Sequence, residues 1–311
     1  MSYAIESNNQ GSKTIHINSE NAHNSLDSSI TTNFQLFLDE SVKCPQNERM
    51  LISLHSATVP YSFYNIRSDV NNTVGYKLNG VYGEFNITPG NYTSTTLINF
   101  LEPTISSLLT GDLVIIFDRT IMKFNFTLNN VSDDNTFKFD FTTSPTPANI
   151  ELGFKVEETN TISHSSGLVS ANVVDVNGSI HGLFVRTNLS SEGCFDSFTK
   201  GFNTILGRIP ITTNFGSVLF FEPMNSVHKI LIHKREIHTL TIRLTDEKNR
   251  LVDLNGLHFS IALQVDFTHH KSEIAPSIDS RYMPKRIEEP KSNKKELYHT
   301  KTQKDKRRYL L

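Results

Sequence analysis

The stretch Leu257-His-Phe-Ser-Ile-Ala-Leu-Gln-Val-Asp-Phe267 carries a large apolar side chain at every second position. Small, polar or charged residues occupy most of the positions between them. Because successive side chains of a β-strand point to opposite faces, this alternation predicts a strand with one buried face. At about 3.3 Å per residue, the strand would be roughly 36 Å long.

A second alternating run lies just upstream, where Leu240, Ile242 and Leu244 are separated by Thr and Arg. We expect it to pair with the 257–267 strand as the closing pair of a β-sandwich. Nearer the N-terminus, alternation predicts strands at 30–38 and 50–59. Further strands of this set are predicted at 171–176, 180–185, 204–211, 218–221 and 230–232. The larger ones bring the total to about eight, which is the strand number of a jelly roll.

The pattern changes between residues 73 and 159. Asn79-Gly80 is a pair that favours a type I′ turn, and it predicts a hairpin between two short β-rich runs. A helical window follows, and three more strands are predicted at 113–117, 122–128 and 136–141. This block therefore has the order ββαβββ, which is typical of a small α+β unit.

The helical window runs from Ser94 to Leu109, and Thr93 or Ser94 can cap its first turn. Its apolar face is formed by Leu97, Leu101, Ile105 and Leu108. Pro103 lies inside this window. Because a proline in a helix interior costs on the order of 3 kcal/mol, we expect a kink or a break into two short helices.

These patterns predict an all-β fold, namely an antiparallel jelly-roll β-sandwich with an inserted small α+β domain and extended terminal arms. The predicted parts are an N-terminal arm at 1–28, a discontinuous sandwich at 29–72 and 160–268, an inserted domain at 73–159, and a basic C-terminal arm at 269–311. The alternative is two consecutive sandwiches near 30–150 and 165–268. The helix near residue 100 argues against this alternative.

The charge distribution sets the last 43 residues apart. Residues 269–311 contain 12 Lys or Arg and 6 Asp or Glu, whereas the rest of the chain contains 18 and 26. Such asymmetry is typical of an arm that binds a partner. The candidate interaction residues are Lys285, Arg286, Lys294, Lys295, Lys304, Lys306, Arg307 and Arg308. Acidic residues interrupt these clusters, and this favours a solvated or protein-docked arm over a nucleic-acid contact.

No pattern in the sequence is typical of an active site. His228, His233 and His238 recur at intervals of five, which on a strand places successive side chains on opposite faces and so does not suit a shared metal ion. Neither Cys44 nor Cys194 lies in the sequence context of an activated thiol. We therefore expect a protein that is not an enzyme, with no catalytic residues, no metal and no cofactor. No window of about 18 uncharged apolar residues predicts a transmembrane segment.

Four short motifs resemble the minor capsid and penton proteins of giant DNA viruses, virophages and polinton-like viruses. They follow one another in the same order as in that group and span roughly residues 30 to 268. The first motif is Ser56-Ala-Thr-Val-Pro-Tyr-Ser-Phe-Tyr-Asn-Ile, which lies shortly before Asn71-Asn72. The second is Ile87-Thr-Pro-Gly-Asn-Tyr-Thr, which precedes the predicted helix, and the region that it opens closes at Leu152-Gly-Phe. The last two are Leu240-Thr-Ile-Arg-Leu-Thr-Asp and Val252-Asp-Leu-Asn-Gly-Leu-His-Phe-Ser-Ile-Ala-Leu-Gln-Val.

This resemblance implies a structural protein of an icosahedral capsid, located in the virion after assembly in the host cytoplasm or nucleus. Its expected partners are the major capsid protein and other minor capsid proteins. The basic arm favours a minor capsid protein that links or cements capsomers, whereas the inserted domain favours a penton at the five-fold vertex, which would form a homo-pentamer. A receptor- or carbohydrate-binding jelly roll and a cupin-like enzyme are the alternatives from other functional classes.

Overall fold

The computed structural model describes residues 11–21, 24–25, 31–109, 111–129, 137–156, 160–162, 167–176, 180–189, 195–202, 205–223 and 228–269. Within these residues the chain forms nineteen β-strands, one α-helix and a 3-10 helix at Ser19–Asn21. In chain order the elements are Ser12–Asn18 (β1), Asn24–Ser25 (β2), Asn33–Lys43 (β3), Glu48–Pro60 (β4), Thr73–Leu78 (β5), Val81–Asn86 (β6), Ser94–Leu108 (α1), Asp112–Asp118 (β7), Lys123–Asn129 (β8), Phe137–Phe139 (β9), Asn160–Ile162 (β10), Leu168–Val169 (β11), Gly182–Thr187 (β12), Phe195–Asp196 (β13), Gly201–Phe202 (β14), Ile205–Pro210 (β15), Val218–Phe221 (β16), Ile230–Ile232 (β17), Glu236–Thr245 (β18) and Ser260–His269 (β19).

Two antiparallel sheets form a sandwich. Sheet A has the order β1-β19-β4-β16, and β17 pairs with β4 beside β16. Sheet B has the order β15-β12-β18-β3-β2. If β16 and β17 count as one position and the two-residue β2 is left out, the sandwich has eight strand positions. The first pairs with the eighth, the second with the seventh, the third with the sixth and the fourth with the fifth.

This pairing is that of one long hairpin rolled into two sheets, which is the jelly-roll topology. The predicted jelly-roll fold is therefore confirmed. The alternative of two consecutive sandwiches is wrong, because β3 and β4 pair with β18 and β19 from the other end of the chain.

The sandwich core lies between sheets A and B, and the alternation in β19 supplies part of it. Leu263, Val265 and Phe267 are at most 4% exposed, whereas Leu257 precedes the strand and is half exposed. The other face of β19 is not uniformly exposed to solvent, because Asp266 is also buried. Its carboxylate lies 2.8 Å from the amine of Lys229.

The predicted pairing of the last two strands is wrong. β18 pairs with β3 and β12 in sheet B, whereas β19 pairs with β1 and β4 in sheet A. Segment 246–259 carries the chain from one sheet to the other. The two strands thus share a core without sharing hydrogen bonds, since a rolled hairpin pairs each strand with a distant partner.

The prediction of an N-terminal arm at 1–28 is wrong for the residues of this range that the structure describes. β1 forms the edge of sheet A through seven residue pairs with β19. Ile17 enters the sandwich core and is 3% exposed. Asn24–Ser25 adds a short pairing to β3. Residues 1–10 lie outside the described residues.

A second hydrophobic core forms between the third and fourth strand positions, in residues 66–176, which we call the insert. Two sheets contribute to it, with orders β10-β9-β5-β6 and β11-β8-β7. The predicted hairpin is confirmed, since Asn79 and Gly80 both have positive φ between β5 and β6, as a type I′ turn requires. Phenylalanine rings dominate the interior, including Phe124, Phe126, Phe139 and Phe154.

Helix α1 packs against β7 and covers this core. Leu97, Leu101 and Ile105 are buried as predicted, and Thr93 forms a reciprocal capping box with Thr96. The predicted break into two helices is wrong, because α1 continues through Pro103. It is the only α-helix in the described residues, and none there is both long and apolar enough to cross a membrane.

The segment 160–176 was predicted to belong to the sandwich, but its strands pair with strands of the insert. β10 pairs with β9, and β11 pairs with β8, so its regular structure lies with the insert. The strand predicted at 171–176 does not form. Instead, irregular chain is held by backbone hydrogen bonds from Asn172 to Gly153 and from Val174 to Met122, and Val174 enters the insert core.

Candidate functional site

The basic residues predicted to contact a partner are Lys285, Arg286, Lys294, Lys295, Lys304, Lys306, Arg307 and Arg308, and all lie outside the described residues. The described chain ends at His269, the last residue of β19. There the His269 Nδ1 atom lies 3.8 Å from a carboxylate oxygen of Glu48. The role of the eight residues therefore stays a prediction.

The three spaced histidines do not come together. His228, His233 and His238 are exposed, and His238 lies 3.2 Å from a carboxylate oxygen of Glu236 on the same strand. Among the residues that the structure describes, no three His, Cys, Asp or Glu side chains are grouped to hold a metal ion. The Cys44 thiol donates to the Glu48 carbonyl at 3.2 Å, and burial raises its pKa. Cys194 lies outside the described residues.

Instead, the structure gathers buried polar side chains where the chain leaves the sandwich for the insert. Asn65 begins this segment and is 5% exposed. Its Oδ1 accepts from the backbone N–H groups of Ile66 and Tyr92 at 2.9 and 2.8 Å. Its Nδ2 donates to the carbonyls of Tyr92, at 2.6 Å, and Val176. One amide thus fixes the start of the insert to two other parts of the chain.

Two residues further on, Arg67 reaches back to the sandwich. Its Nη2 atom lies 3.2 Å from Oδ2 of Asp246, which follows β18. The same oxygen lies 2.7 Å from Nε of Arg250. Asp246 is fully buried, and burial together with the nearby Arg250 lowers the pKa of Arg67. Removing one member of such a buried triad would leave a charge without its partner.

Asn71 makes the third contact, this time within the insert. Its Nδ2 donates to Oε1 of Glu151 at 2.6 Å and to the Asn65 carbonyl at 2.8 Å. Glu151 is 2% exposed, and burial raises its pKa to about 7. No hydrogen-bond partner within the described chain reaches its Oε2 atom. We call this group the junction cluster, and it consists of Asn65, Arg67, Asn71, Glu151, Asp246 and Arg250.

Three of the four short motifs of the sequence analysis meet at the junction cluster. Asn65 belongs to the first motif, and Asn71 follows it closely. The Ile87–Thr93 motif supplies Tyr92, which Asn65 binds. Asp246 ends the 240–246 motif. Leu152-Gly-Phe comes directly after Glu151. The junction cluster therefore brings together residues that are distant in sequence and that lie in or beside these motifs.

Sequence reasoning did not find the cluster. Arg67 and Glu151 are single charges in ordinary turn sequences, and no motif includes them. Asp246 was noted only as the end of a motif. The one indication of the cluster in the sequence was the charge of Asp246, directly after a strongly alternating strand. This charge did not identify its cationic partner.

A cavity of about 650 Å³ opens beside the cluster, between the sandwich and the insert. We call it the junction cleft. Tyr61 and Phe215 form part of one wall, with ring centroids 5.7 Å apart, and Tyr92 lies on the insert side. Burial raises the pKa of both Tyr61 and Tyr92, so their phenols stay protonated at neutral pH. The cleft was not anticipated from the sequence, because its walls come from five separated segments.

Comparison with known proteins gives similarity to solved structures but no match by sequence. No protein-family model matches the chain, and no curated protein sequence matches it. Among solved structures, the chain is similar to the crystal structure of the selenomethionine-labelled mavirus penton protein. The sequences are 12% identical, the match covers 83% of this chain and 98% of that chain, and the TM-score is 0.47.

Proposed function

We propose that this chain is a structural protein of an icosahedral viral capsid, and specifically a minor capsid protein that links or cements capsomers of the major capsid protein. The observation that carries the proposal is that three of the four family-like motifs contribute to the junction cluster or contact it. Motifs that matched by accident would have no reason to meet in space. Here they form one buried contact between a jelly roll and its insert.

The proposed linking role also uses the charge separation along the chain. Residues before 269 carry a net negative charge, whereas residues 269–311 carry a net positive charge. A basic segment that follows the last strand of an acidic body is suited to bind the acidic surface of a neighbouring subunit. We propose Lys285, Arg286, Lys294, Lys295, Lys304, Lys306, Arg307 and Arg308 as the contact residues, with a nucleic-acid contact as the alternative.

The alternative capsid role is a penton that forms a five-fold ring at the vertex. The observation that favours it is the insert, which has its own hydrophobic core and two sheets. An insert of this size between the third and fourth strand positions adds a second surface to the jelly roll. In a vertex protein, such a surface would be available beside the ring contacts.

The test is the position of the chain in assembled particles, determined by electron cryo-microscopy. Density for the jelly roll between capsomers, with basic residues against a neighbouring subunit, supports the minor capsid role. Density on the five-fold axes supports the penton. If purified particles lack the chain altogether, a capsid role is overturned. The ring-forming version has a second test, because a purified penton should form pentamers by mass photometry.

A further inference from the structure

We infer that the junction cleft binds a short neutral carbohydrate, an activity beyond the structural role proposed above. A pyranose ring has one face of C–H bonds and a rim of hydroxyl groups. It therefore requires an aromatic surface next to uncharged hydrogen-bonding groups, in a recess of small-ligand size. The cleft of about 650 Å³ falls in the usual range for small-molecule sites.

The aromatic surface is Phe215. Its ring is 42% exposed, although Tyr61 lies 5.7 Å away in an edge contact and Tyr64 lies 6.5 Å away. Tyr61 in turn stacks on the buried Phe63 at 4.5 Å. Phe215 thus has two aromatic neighbours and still exposes much of its surface, so a sugar face can stack on its ring.

The loop that carries Phe215 is fixed to the sandwich. The Tyr61 N–H donates to the Ser217 carbonyl at 2.8 Å, and the Gly216 N–H donates to the Tyr61 carbonyl at 2.9 Å. On the opposite wall, Asn65 holds both the N–H and the carbonyl of Tyr92. Both walls are therefore preorganised, so binding would require little loss of conformational entropy.

Polar groups lie beside the aromatic surface. Asn91, Thr213 and Asn214 line the cleft, and within the described chain their side chains make no hydrogen bond. Together they offer amide donors, amide acceptors and a hydroxyl, which match the donor and acceptor character of sugar hydroxyls. These groups are free to bind a ligand without breaking an internal contact.

The charge of the lining excludes acidic sugars. The described residues that line the cleft include no Asp, Glu, Lys or Arg. The one titratable imidazole, that of His181, lies 3.3 Å from the carboxylate of Asp175. A sialylated or sulfated glycan would place its anion where no cation is available to pair with it. The cleft therefore suits a neutral mono- to trisaccharide.

The test uses the full-length protein on an array that contains neutral glycans, sialylated glycans and sulfated glycans, with binding repeated in solution by saturation-transfer NMR. We expect binding to a subset of the neutral glycans. Phe215→Ala should weaken that binding roughly tenfold, as expected for loss of a stacking contact. Asn214→Ala should weaken it severalfold.

Phe220→Ala is the matched control, because Phe220 is 74% exposed on β16 and does not line the cleft. The glycan affinity of the Phe220→Ala variant should stay within about twofold of that of the unaltered protein. Circular dichroism establishes that each variant is folded. The inference is overturned if no neutral glycan binds, if only acidic glycans bind, or if neither Phe215→Ala nor Asn214→Ala weakens binding more than Phe220→Ala.

Discussion

Asp246 shows how one side chain can hold two parts of a molecule together. Its Oδ2 faces two guanidinium groups, and its Oδ1 accepts the backbone N–H groups of Lys248 and Arg250, both at 2.9 Å. A buried ion pair contributes little compared with a well-packed apolar replacement. Removing one partner alone leaves an uncompensated buried charge, which typically costs about 3–5 kcal/mol.

We therefore expect Asp246→Asn to lower the free energy of unfolding by about 3 kcal/mol, since Arg67 and Arg250 lose their shared anion while the backbone contacts of Oδ1 can persist. Urea unfolding followed by tyrosine fluorescence measures the change. Lys43→Ala is the control, because it breaks a solvent-exposed pair with Glu236 and should cost at most about 1 kcal/mol. Equal losses in the two variants would contradict a structural role for the triad.

Glu151 makes stability depend on pH. Its pKa is about 7 in the folded chain because of burial, against 4.5 in the absence of the fold. Between these values the folded state holds a proton that the unfolded chain releases, so the free energy of unfolding falls as pH rises from about 4.5 to 7. Asp175 opposes ionisation of Glu151, whereas Asn71 and Lys248 favour it.

The substitution Glu151→Gln should remove this dependence while preserving an acceptor for Asn71. At pH 8 we expect the variant to be more stable than the unaltered protein by about 3 kcal/mol, since the pKa of Glu151 is raised from 4.5 to about 7 and one pKa unit corresponds to about 1.4 kcal/mol. Near pH 4.5 the two proteins should be similar. Urea unfolding at several pH values is the measurement. Glu40→Gln, at an exposed position, should retain the original pH profile. If both variants retain it, Glu151 does not titrate in this range.

At the scale of elements, β1 and β19 show how strand pairing changes the meaning of a sequence pattern. Residues 12–18 are polar apart from two isoleucines, and taken alone they resemble an arm. Paired with β19, they become the edge of sheet A and place Ile17 in the core. A strand with one buried side chain acquires most of its order from its partner.

Because Ile17 is 3% exposed, Ile17→Ala should lower the free energy of unfolding by about 2–4 kcal/mol. Lys13→Ala, at an exposed position of the same strand, should change it by less than about 0.5 kcal/mol. Both are measured by urea unfolding. An effect of Ile17→Ala as small as that of Lys13→Ala would mean that this segment is an arm after all.

In helix α1, tertiary packing outweighs the local preference of the sequence for a break. Pro103 removes one backbone donor from the helix interior, and this alone favours a break. The helix continues because Leu97, Leu101 and Ile105 are buried on one face on both sides of the proline. Pro103 itself is exposed, so its ring meets solvent rather than the core. Burial of the apolar face compensates for the missing hydrogen bond.

At the scale of the whole molecule, the last described strand separates two chemically different regions. The sandwich core draws its residues from positions 17 to 267. The basic segment that follows β19 adds charge and few apolar side chains. Stability and assembly can therefore be tested separately by removing this segment.

Deletion of 270–311 should leave the circular dichroism spectrum and the urea midpoint essentially unchanged, because every core residue of the described chain, up to Phe267, is retained. Incorporation into particles, measured by co-sedimentation with the major capsid protein, should fall strongly. A scrambled tail of identical composition is the control, and it distinguishes general charge attraction from a specific contact. Unfolding of the truncated protein would contradict this assignment. Loss of salt-dependent nucleic-acid binding on deletion would favour the alternative partner.

Local structure and the distribution of charge could be predicted from the amino-acid sequence. Alternation identified most of the longer strands, Asn79-Gly80 identified the hairpin, and the helix was recognised with its cap. Each of these depends on side-chain period or turn chemistry within a few residues. The excess of positive charge after residue 269 is likewise a direct property of the sequence.

Which elements pair with one another could not be predicted in this way, because it depends on tertiary packing. The period of 240–244 is the same whether that strand lies beside 260–269 or faces it across a core, because alternation fixes a face and not a partner. Likewise, nothing near Arg67 indicates that its anion lies 179 residues away. Such partners are set by how the whole hairpin rolls into two sheets, which depends on burying all the apolar faces together.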